Sequence, residues 1–345
     1  MKAIVKSLPE KGFQLQEIER PEICFHNDVL IRISAVGICG TDVHIYHWDE
    51  WAQSRIKTPL TAGHEFVGYV EAVGDGVQHV KIGDRVSAEG HITCNHCRFC
   101  RTGNGHICED VEIIGVDRAG CFAEYLLMPA DNLWPVAEGI PEKVAAVFDP
   151  IGNAMHTVMT VPISGKTVLI SGCGPIGLFA LAIAVHVGAA SVVVIEPSAY
   201  KRELASRLGA DLVLDPSDTG LNEIVHQKTE GLGPELFLEM SGAASALQSG
   251  FRMLRNGGDA VVLGIPHGDV AVDWPEIIFK GLTIHAINGR RMYDTWYQSQ
   301  TFLEKHLDSL LPVITHTFAF DDFQHAFDLI ETGKAGKVVL TLHDS

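Results

Sequence analysis

The sequence predicts an α/β protein with two domains, and three observations lead to this prediction. The chain has 345 residues, which exceeds the size at which a single hydrophobic core usually stops growing. Residues 1–150 consist of short β-type segments separated by Gly, Asp and Pro, the pattern of a β-rich domain. From residue 166 onward, apolar strands alternate with helical segments, so we expect a doubly wound parallel sheet with helices on both faces.

The elements of the second domain follow the chain in order. Its expected strands are TVLIS, SVVVIE, ELFLEM, DAVVLG and LTIHAIN. We place the β-rich domain at residues 1–150, with a cysteine-rich lobe at about residues 90–115, and the parallel-sheet domain at residues 151–290. In residues 291–345 we expect helices around positions 294–307 and 321–331 and a final strand, KVVLTL.

Composition excludes several classes of function. The net charge of −17 argues against nucleic-acid binding, which requires a basic face. The chain begins MKAIVKSLPEKGFQ, without the apolar core of a signal peptide, and contains no apolar run of about 18 residues. Four of the eight cysteines are scattered, as is usual where thiols stay reduced. These features predict a cytoplasmic protein with no membrane segment.

The other four cysteines lie within fifteen residues, as CNHCRFCRTGNGHIC. They are Cys94, Cys97, Cys100 and Cys108. Four thiolates bind zinc tetrahedrally, and such closed sites are structural. Disulfides are disfavoured in a reducing compartment, and the bacterial ferredoxin run has a shorter last gap followed by Pro, whereas Glu109 follows the last cysteine here. The spacing therefore predicts a structural zinc site.

A glycine-rich turn follows the first strand of the second domain. Its glycines, Gly172, Gly174 and Gly177, precede an apolar helix, and this context distinguishes a Rossmann dinucleotide site from a simple tight turn. Glu196 ends the next strand, where an acid accepts hydrogen bonds from the adenosine ribose and repels a 2′-phosphate. We therefore expect NAD rather than NADP, although Lys201 and Arg202 could weaken this preference.

A second metal set is spread over three segments. Cys39 lies in GICGTD, His64 and Glu65 lie in AGHEF, and Asp149 lies in FDPIGNAMHT. A thiolate, an imidazole and a carboxylate suit a catalytic zinc with an open position for a substrate oxygen. Each residue alone has an ordinary structural explanation, and the residues themselves do not decide between Glu65 and Asp149 as the third ligand.

These motifs stand in the order found in the zinc-dependent medium-chain dehydrogenases, which the chain resembles from end to end. Within that family, CGTDVHIYHWDEWAQ, EMSGA, LGIP and GRRMYDTWY are most similar to the branch that oxidises L-threonine. The resemblance implies a GroES-like catalytic domain, a Rossmann NAD-binding domain, and a C-terminal segment that returns to the catalytic domain. It also implies a homotetramer and two zinc ions per chain.

The resemblance assigns roles to individual residues. It implies that Cys39, His64 and Glu65 bind the catalytic zinc, that Asp149 supports them, and that Thr41 and His44 pass the substrate proton to solvent. The cofactor residues that it implies, besides the glycines, are Ile176, Glu196, Lys201, Leu263, Gly264, Ile265, Ile287 and Asn288. Independently of the resemblance, Trp48, Trp51, His91 and Arg290 lie near these motifs in the sequence and are candidate walls of the substrate pocket, although aromatic and basic residues there could equally serve packing or cofactor contacts.

The expected reaction is NAD-dependent oxidation of the L-threonine 3-hydroxyl, which gives 2-amino-3-oxobutanoate and NADH. The resemblance further suggests that a CoA ligase consumes this product to make glycine. The main alternative is a polyol or diol dehydrogenase of the same family, acting on sorbitol or 2,3-butanediol. A remote alternative is a zinc-stabilised NAD-binding sensor, but it would require a broken metal set or relay, and both are complete here.

Overall fold

The computed structural model describes residues 1–342. In its first 159 residues the strands are β1 (Lys2–Lys6), β2 (Gln14–Glu17), β3 (Asp28–Gly37), β4 (Leu60–Thr61), β5 (Glu65–Val73), β6 (Arg85–Ala88), β7 (His91–Ile92), β8 (Glu112–Ile113), β9 (Tyr125–Pro129) and β10 (Leu133–Pro135). The helices of this part are α1 (Gly40–His47), α2 (Glu50–Arg55), α3 (Arg98–Arg101), α4 (Glu142–Ala145) and α5 (Phe148–Met159), with 3₁₀ turns at Gly105–Ile107 and Ala130–Asn132.

The middle of the chain alternates strands and helices as expected. These elements are β11 (Thr167–Ser171), α6 (Pro175–His186), β12 (Ser191–Ile195), α7 (Ala199–Arg207), β13 (Leu212–Leu214), α8 (Leu221–Lys228), β14 (Leu236–Glu239), α9 (Ala244–Met253), β15 (Asp259–Val262), α10 (Trp274–Lys280) and β16 (Thr283–Ala286). The last described elements are α11 (Asp294–Leu310), 3₁₀ turns at Leu311–Val313 and Phe320–Asp322, β17 (Ile314–Ala319), α12 (Phe323–Glu331) and β18 (Lys337–Thr341).

Two sheets dominate the molecule. The strands β13, β12, β11, β14, β15 and β16 pair in that order, and every pair is parallel. The order reverses at β11, so the carboxyl ends of β11 and β14 border the crevice where such sheets bind ligands. The strands of this sheet read as apolar runs because helices cover both faces. The predicted fold class is confirmed.

The other large sheet belongs to the β-rich part of the chain. Its order is β10, β6, β5, β3, β18 and β17, and β9 also pairs with β3. Because β18 pairs antiparallel with β3 through Val339 and Gly37, the end of the chain contributes to the sheet that carries the first residues. Helix α11 instead packs on α5 and α6, with Trp296, Phe302 and Leu303 in their shared core. The boundaries at residues 150 and 290 stay predictions.

Among residues 1–342, none of the helices combines the length and the apolar character that a membrane crossing requires.

Candidate active site and metal centres

The four-cysteine lobe has the geometry of a tetrahedral thiolate site. The Sγ atoms of Cys97 and Cys100 lie 3.5 Å apart, and the Sγ of Cys108 lies 3.5 Å from that of Cys94 and 3.9 Å from that of Cys97. Zinc–sulfur bonds of about 2.3 Å place the sulfurs of a tetrahedron about 3.8 Å apart, whereas a disulfide requires about 2.05 Å. All four cysteines are free thiols, and the set fits zinc.

Backbone amides of the same loop donate to these sulfurs. The N–H groups of Cys97 and Cys100 donate to the Sγ of Cys94 and Cys97 at 3.3 and 3.5 Å, and the N–H of Asp110 donates to the Sγ of Cys108 at 3.4 Å. Amide donors stabilise thiolates, and they lower the pKa of Cys97 to about 6. These donors therefore stabilise the thiolate of Cys97, the form that binds a metal.

The second set comes from two places in the chain; His64 and Glu65 are buried and Cys39 is half-buried. Cys39 precedes α1, while His64 and Glu65 lie where β5 begins. One ligand atom from each residue lies within 4.8 Å of the others. The Nδ1 of His64 is buried and has no hydrogen-bond partner within the described chain, as expected of a donor atom that a metal would use. The structure brings together the three residues predicted as catalytic zinc ligands.

Asp42 of the CGTD motif joins the two ligand-bearing segments. Its carboxylate accepts from the N–H of Cys39 at 2.8 Å and from the N–H of Gly63 at 3.2 Å. It is fully buried, and burial raises its pKa. The Asp42 carboxylate therefore bridges the backbone of Cys39 and the turn before His64, and it holds the two ligand-bearing segments together.

A buried lysine from the last strand supports Glu65. The Nζ of Lys337 lies 2.6 Å from Oε1 and 2.5 Å from Oε2 of Glu65, and it also donates to the carbonyl of Ile38 at 2.7 Å. Burial raises the pKa of Glu65, although this ion pair opposes the shift. The lysine thus neutralises and orients the carboxylate.

The electrostatics of this pocket favour a cation. Burial lowers the pKa of His64, but the thiolate of Cys39 and the carboxylates of Asp42 and Asp149 outweigh that effect and raise it to about 10. A pocket that attracts positive charge this strongly suits a divalent metal ion. The residues therefore fit a catalytic zinc.

Asp149 and Arg290 form a buried clamp beside the metal set. The guanidinium of Arg290 pairs with Asp149 at the start of α5 and with Glu89 just after β6, and its Nε lies 2.9 Å from Oε2 of Glu89. Burial would raise the pKa of Glu89, but Arg290 holds it well below its usual range. Asp149 is not part of the three-residue metal set. The prediction of Arg290 as a pocket wall is not supported, because its nitrogens are engaged by protein groups.

The relay candidates lie on one face of α1. The Oγ1 of Thr41 lies 3.8 Å from the Sγ of Cys39, and His44 follows one turn later, with its side chain 44% exposed. The chain thus places a hydroxyl at the metal set and an imidazole at the solvent boundary.

The glycine turn is shaped for a close ligand. Gly172 has φ +91°, and a Cβ there would meet Ser241, whereas a Cβ on Gly177 would meet the carbonyl of Gly172 at 2.1 Å. A Cβ on Gly174 would enter open space at the N-terminus of α6, which is where a pyrophosphate would pass. Ile176, in the first turn of α6, packs on the core of the cofactor sheet. This arrangement fits a dinucleotide.

Glu196 lies at the floor of an adjacent cavity of about 550 Å³. Its carboxylate accepts from the N–H of Cys173 at 2.6 Å and from the N–H of Ser198 at 2.9 Å. Lys201 also lines this cavity. Arg202 turns away and binds Asp215 at 2.7 Å as well as the carbonyl of Glu196 at 2.8 Å, so only one of the two basic residues lines the cavity.

The predicted nicotinamide side lies on two segments that follow β15 and β16. Ile265 is 88% exposed, and the half-buried Leu263 and Gly264 donate through their N–H groups to the carbonyl of Glu239 at 3.0 and 3.1 Å. Ile287 donates to the carbonyl of Val262 at 2.9 Å. Asn288 donates to the carbonyl of His106 at 3.3 Å, so the cysteine lobe contacts this segment directly.

Sequence reasoning missed several residues that organise the site. They are Asp42, Asp49, Glu89, Glu239 and Lys337. Glu239 closes β14 and accepts from the N–H groups of Ser241 and Gly242 at 2.9 and 3.1 Å, which holds the loop beside the glycine turn. For Lys337 and Glu239, the sequence feature that could have indicated a buried charge is a charged residue at the end of an apolar strand, as in KVVL and LFLE.

Comparisons with known proteins agree with this geometry. The family models "Alcohol dehydrogenase GroES-like domain" and "Zinc-binding dehydrogenase" match residues 26–138 and 175–305. The chain belongs to the zinc-dependent alcohol dehydrogenase family. It is therefore an oxidoreductase whose cofactors are NAD and zinc.

Three relatives illustrate the similarity. L-threonine 3-dehydrogenase from Alteromonas mediterranea is 48% identical, with 99% of each chain covered. A dehydrogenase structure from Escherichia coli CFT073, complexed with NADH, is 30% identical, with a TM-score of 0.89 and 99% of each chain covered. The structure of 2R,3R-butanediol dehydrogenase from Bacillus subtilis is 25% identical, with a TM-score of 0.90 and 99% of each chain covered.

Proposed function

We propose that this enzyme oxidises the 3-hydroxyl of L-threonine to a ketone, giving 2-amino-3-oxobutanoate, NADH and a proton. The observation that carries the proposal is the 48% identity to an L-threonine 3-dehydrogenase over 99% of the chain. The metal set of Cys39, His64 and Glu65 supports the oxidation of an alcohol. The ring of His44, on the helix that follows Cys39, lies 6.1 Å from that of His267 in the loop after β15, which supports transfer of hydride to a nicotinamide bound at that loop.

Each residue of the metal site has a defined task in this proposal. Cys39, His64 and Glu65 would hold a zinc that lowers the proton affinity of the substrate hydroxyl. Asp42 and Lys337 keep these ligands in place. The Asp149 carboxylate, neutralised by Arg290, supports the site without entering the metal set.

The proton leaves along α1. The Oγ1 of Thr41 accepts the hydroxyl proton while donating its own, and His44 carries the charge to the solvent boundary. General acid–base assistance of this kind contributes roughly 10²- to 10⁴-fold in rate. His44→Ala should therefore lower turnover while zinc content and NAD affinity stay near those of the wild type.

The cofactor residues divide the binding of NAD. Gly172, Gly174 and Gly177 admit the pyrophosphate, and Ile176 and Lys201 lie beside it. Glu196 accepts from the adenosine ribose and disfavours NADP. The nicotinamide side is formed mainly by main-chain groups of Leu263, Gly264, Ile265, Ile287 and Asn288.

A substrate screen tests the proposal. Purified enzyme is incubated with NAD and one of L-threonine, L-serine, 2,3-butanediol or sorbitol, and NADH is followed at 340 nm, with Cys39→Ser as the control for metal-dependent turnover. L-threonine should give the highest kcat/KM. A higher kcat/KM for butanediol or sorbitol would assign the enzyme to the diol and polyol group instead.

The proposal also includes a homotetramer. Strand β16 is one of the two edge strands of the parallel sheet. Its Ile284 is 41% exposed, and Trp274, Ile278 and Phe279 of the preceding helix α10 are 58, 69 and 88% exposed. An open edge with apolar neighbours favours pairing with a second copy. Light scattering should give a tetramer for the wild type and a smaller species for Phe279→Glu, while Leu232→Glu, at a separate exposed position, should leave assembly unchanged.

Cytoplasmic location and consumption of the product by a CoA-dependent ligase complete the proposal. A 3-oxo acid with a 2-amino group is cleaved by attack of a thiol, which would release glycine. Addition of such a ligase and CoA should raise the extent of threonine oxidation, because removal of the ketone displaces the equilibrium.

A further inference from the structure

The turn between α1 and α2 brings an aspartate against the relay histidine. Helix α1 ends at His47, and its C-cap residue Trp48 has φ 57° and ψ 45°. The N–H of Trp48 donates to the carbonyls of His44 and Ile45 at 3.0 and 3.3 Å. A left-handed conformation is unfavourable for a residue with a bulky side chain. It reverses the chain so that Asp49 returns to His44, five residues earlier.

Asp49 makes two contacts with different oxygens. Its Oδ2 lies 2.5 Å from the Nδ1 of His44, and its Oδ1 accepts from the N–H of Ala52 at 3.0 Å as the N-cap of α2. Partial burial raises the pKa of Asp49, but the amide of Ala52 and the imidazole of His44 outweigh this and lower it. The carboxylate is therefore ionised at neutral pH and fixed by the helix that it caps.

A buried lysine supports the turn. Lys6 is fully buried, its Nζ donates to the carbonyl of Tyr46 at 3.3 Å, and it lies 5.0 Å from the centre of the Trp48 ring. A cation at the C-terminus of α1 stabilises the helix end, and its contact with the indole face stabilises the Trp48 side chain. These contacts hold the turn that carries Asp49.

We propose that Asp49 is a positioning residue of the proton relay. Its Oδ2 accepts from the Nδ1–H of His44, which leaves Nε2 as the nitrogen that takes the proton from Thr41. When that proton arrives, the carboxylate stabilises the imidazolium, and water then removes the proton from Nε2. Asp49 itself neither gains nor loses a proton. The inference rests on the relay of the proposed function.

The other side chains that face His44 cannot stabilise an imidazolium as Asp49 can. The rings that face it are those of Trp51 on α2 and His267 in the loop after β15, with centroids at 6.0 and 6.1 Å. Neither ring carries a negative charge. The contact with Asp49 is therefore the main interaction that orients the His44 ring.

Asp49→Asn tests the proposal, because Asn is as good an N-cap as Asp and nearly the same shape. Loss of a charge-assisted hydrogen bond should lower kcat about 10- to 100-fold, with KM for threonine and NAD within about twofold. Removal of the charge beside His44 should also alter the pH profile of kcat, which a purely structural role of Asp49 would leave unchanged. Glu50→Gln, an exposed neighbour with the same charge change, should match the wild type in both measurements. Asp49→Ser, which keeps a capping hydroxyl, should behave like Asp49→Asn.

A double variant separates positioning from general damage. In the His44→Ala background, Asp49→Asn should cause no further loss of kcat, because the contact is already absent. An equal further loss there would overturn the proposal, as would wild-type kcat and pH profile in Asp49→Asn. If His44→Ala itself kept full turnover, the result would contradict the Thr41–His44 relay of the proposed function, and the role of Asp49 would be excluded as well.

Discussion

The two metal regions are assembled in opposite ways. In the lobe, Cys94, Cys97, Cys100 and Cys108 lie within fifteen residues, and amides of the same loop donate to their sulfurs. The set of Cys39, His64 and Glu65 lies in the β-rich part, with His64 and Glu65 buried and Cys39 half-buried. Lys337 supports Glu65 from 272 residues away in sequence.

This difference separates folding from catalysis. A closed set of four thiolates has no free position for a substrate, so its metal stabilises the lobe. An open set of three needs a fixed pocket, and this pocket depends on contacts from distant parts of the chain. Metal loss at the first site should therefore reduce stability, and at the second site it should reduce activity.

The largest expected effect is that of Cys39→Ser. Lewis-acid stabilisation by a bound metal contributes several kcal/mol, so turnover should fall by about 10³-fold or more. The fold should persist because the other contacts of α1 remain. Elemental analysis should show zinc falling from two to one per chain, with the melting temperature near that of the wild type. Full activity in this variant would contradict the assignment of the open set.

Arg290→Met should have the next largest effect, on stability. It leaves Glu89 and Asp149 buried without their cation, and removal of one partner from a buried pair typically costs about 3–5 kcal/mol. The control is Arg291→Met, because Arg291 is the adjacent arginine and its side chain is 54% exposed. Urea unfolding at pH 7 should show the loss for position 290 alone.

The difference in unfolding free energy between the wild type and Arg290→Met should depend on pH in a defined direction. Arg290 holds the pKa of Glu89 below its ordinary value of 4.5, so the ion pair contributes stability above that pH and loses it as the pH falls. The gap between wild type and Arg290→Met should therefore narrow on acidification below about pH 4.5. A constant gap would show that lost packing, rather than charge, explains the effect.

Cys97→Ser should break the closed site with a smaller effect. A structural zinc contributes folding free energy, but the lobe is a peripheral segment with exposed residues. We expect the melting temperature to fall by about 5–10 °C, corresponding to roughly 2–4 kcal/mol. Activity per folded molecule should change less than in Cys39→Ser. Unchanged stability with full loss of turnover would reverse the roles given to the two regions.

The same difference explains what the sequence could predict. The lobe and the glycine turn are local. Spacing indicated Cys94 to Cys108, and spacing together with the preceding strand and the following apolar helix indicated Gly172 to Gly177. The fold class followed from the alternation of strands and helices. The contacts of Lys337 with Glu65 and of Arg290 with Asp149 join distant segments, and no pattern in one sequence shows which charges will meet. Arg290 was accordingly predicted as a pocket wall.

Glu196 is an intermediate case, and its replacement should have the smallest effect of the four sites. It lies 23 residues from Cys173, whose N–H donates to its carboxylate at 2.6 Å, so it both shapes the glycine turn and lines the adjacent cavity. Glu196→Gln keeps one acceptor oxygen but removes the charge that repels a 2′-phosphate. The ratio of kcat/KM for NAD over NADP should therefore fall about tenfold, which corresponds to about 1.4 kcal/mol.

Glu196→Ser should lower the same ratio and also raise KM for NAD, because it removes the acceptors for both the ribose and the turn. Glu203→Ser, an exposed acid on α7, provides the matched control for loss of charge in this region and should leave both quantities unchanged. The NAD-to-NADP ratio of kcat/KM is the decisive measurement. Loosening of the turn would weaken the binding of both cofactors equally, whereas loss of the carboxylate would change the preference between them. A wild-type enzyme that uses NADP as efficiently as NAD would remove this role from Glu196.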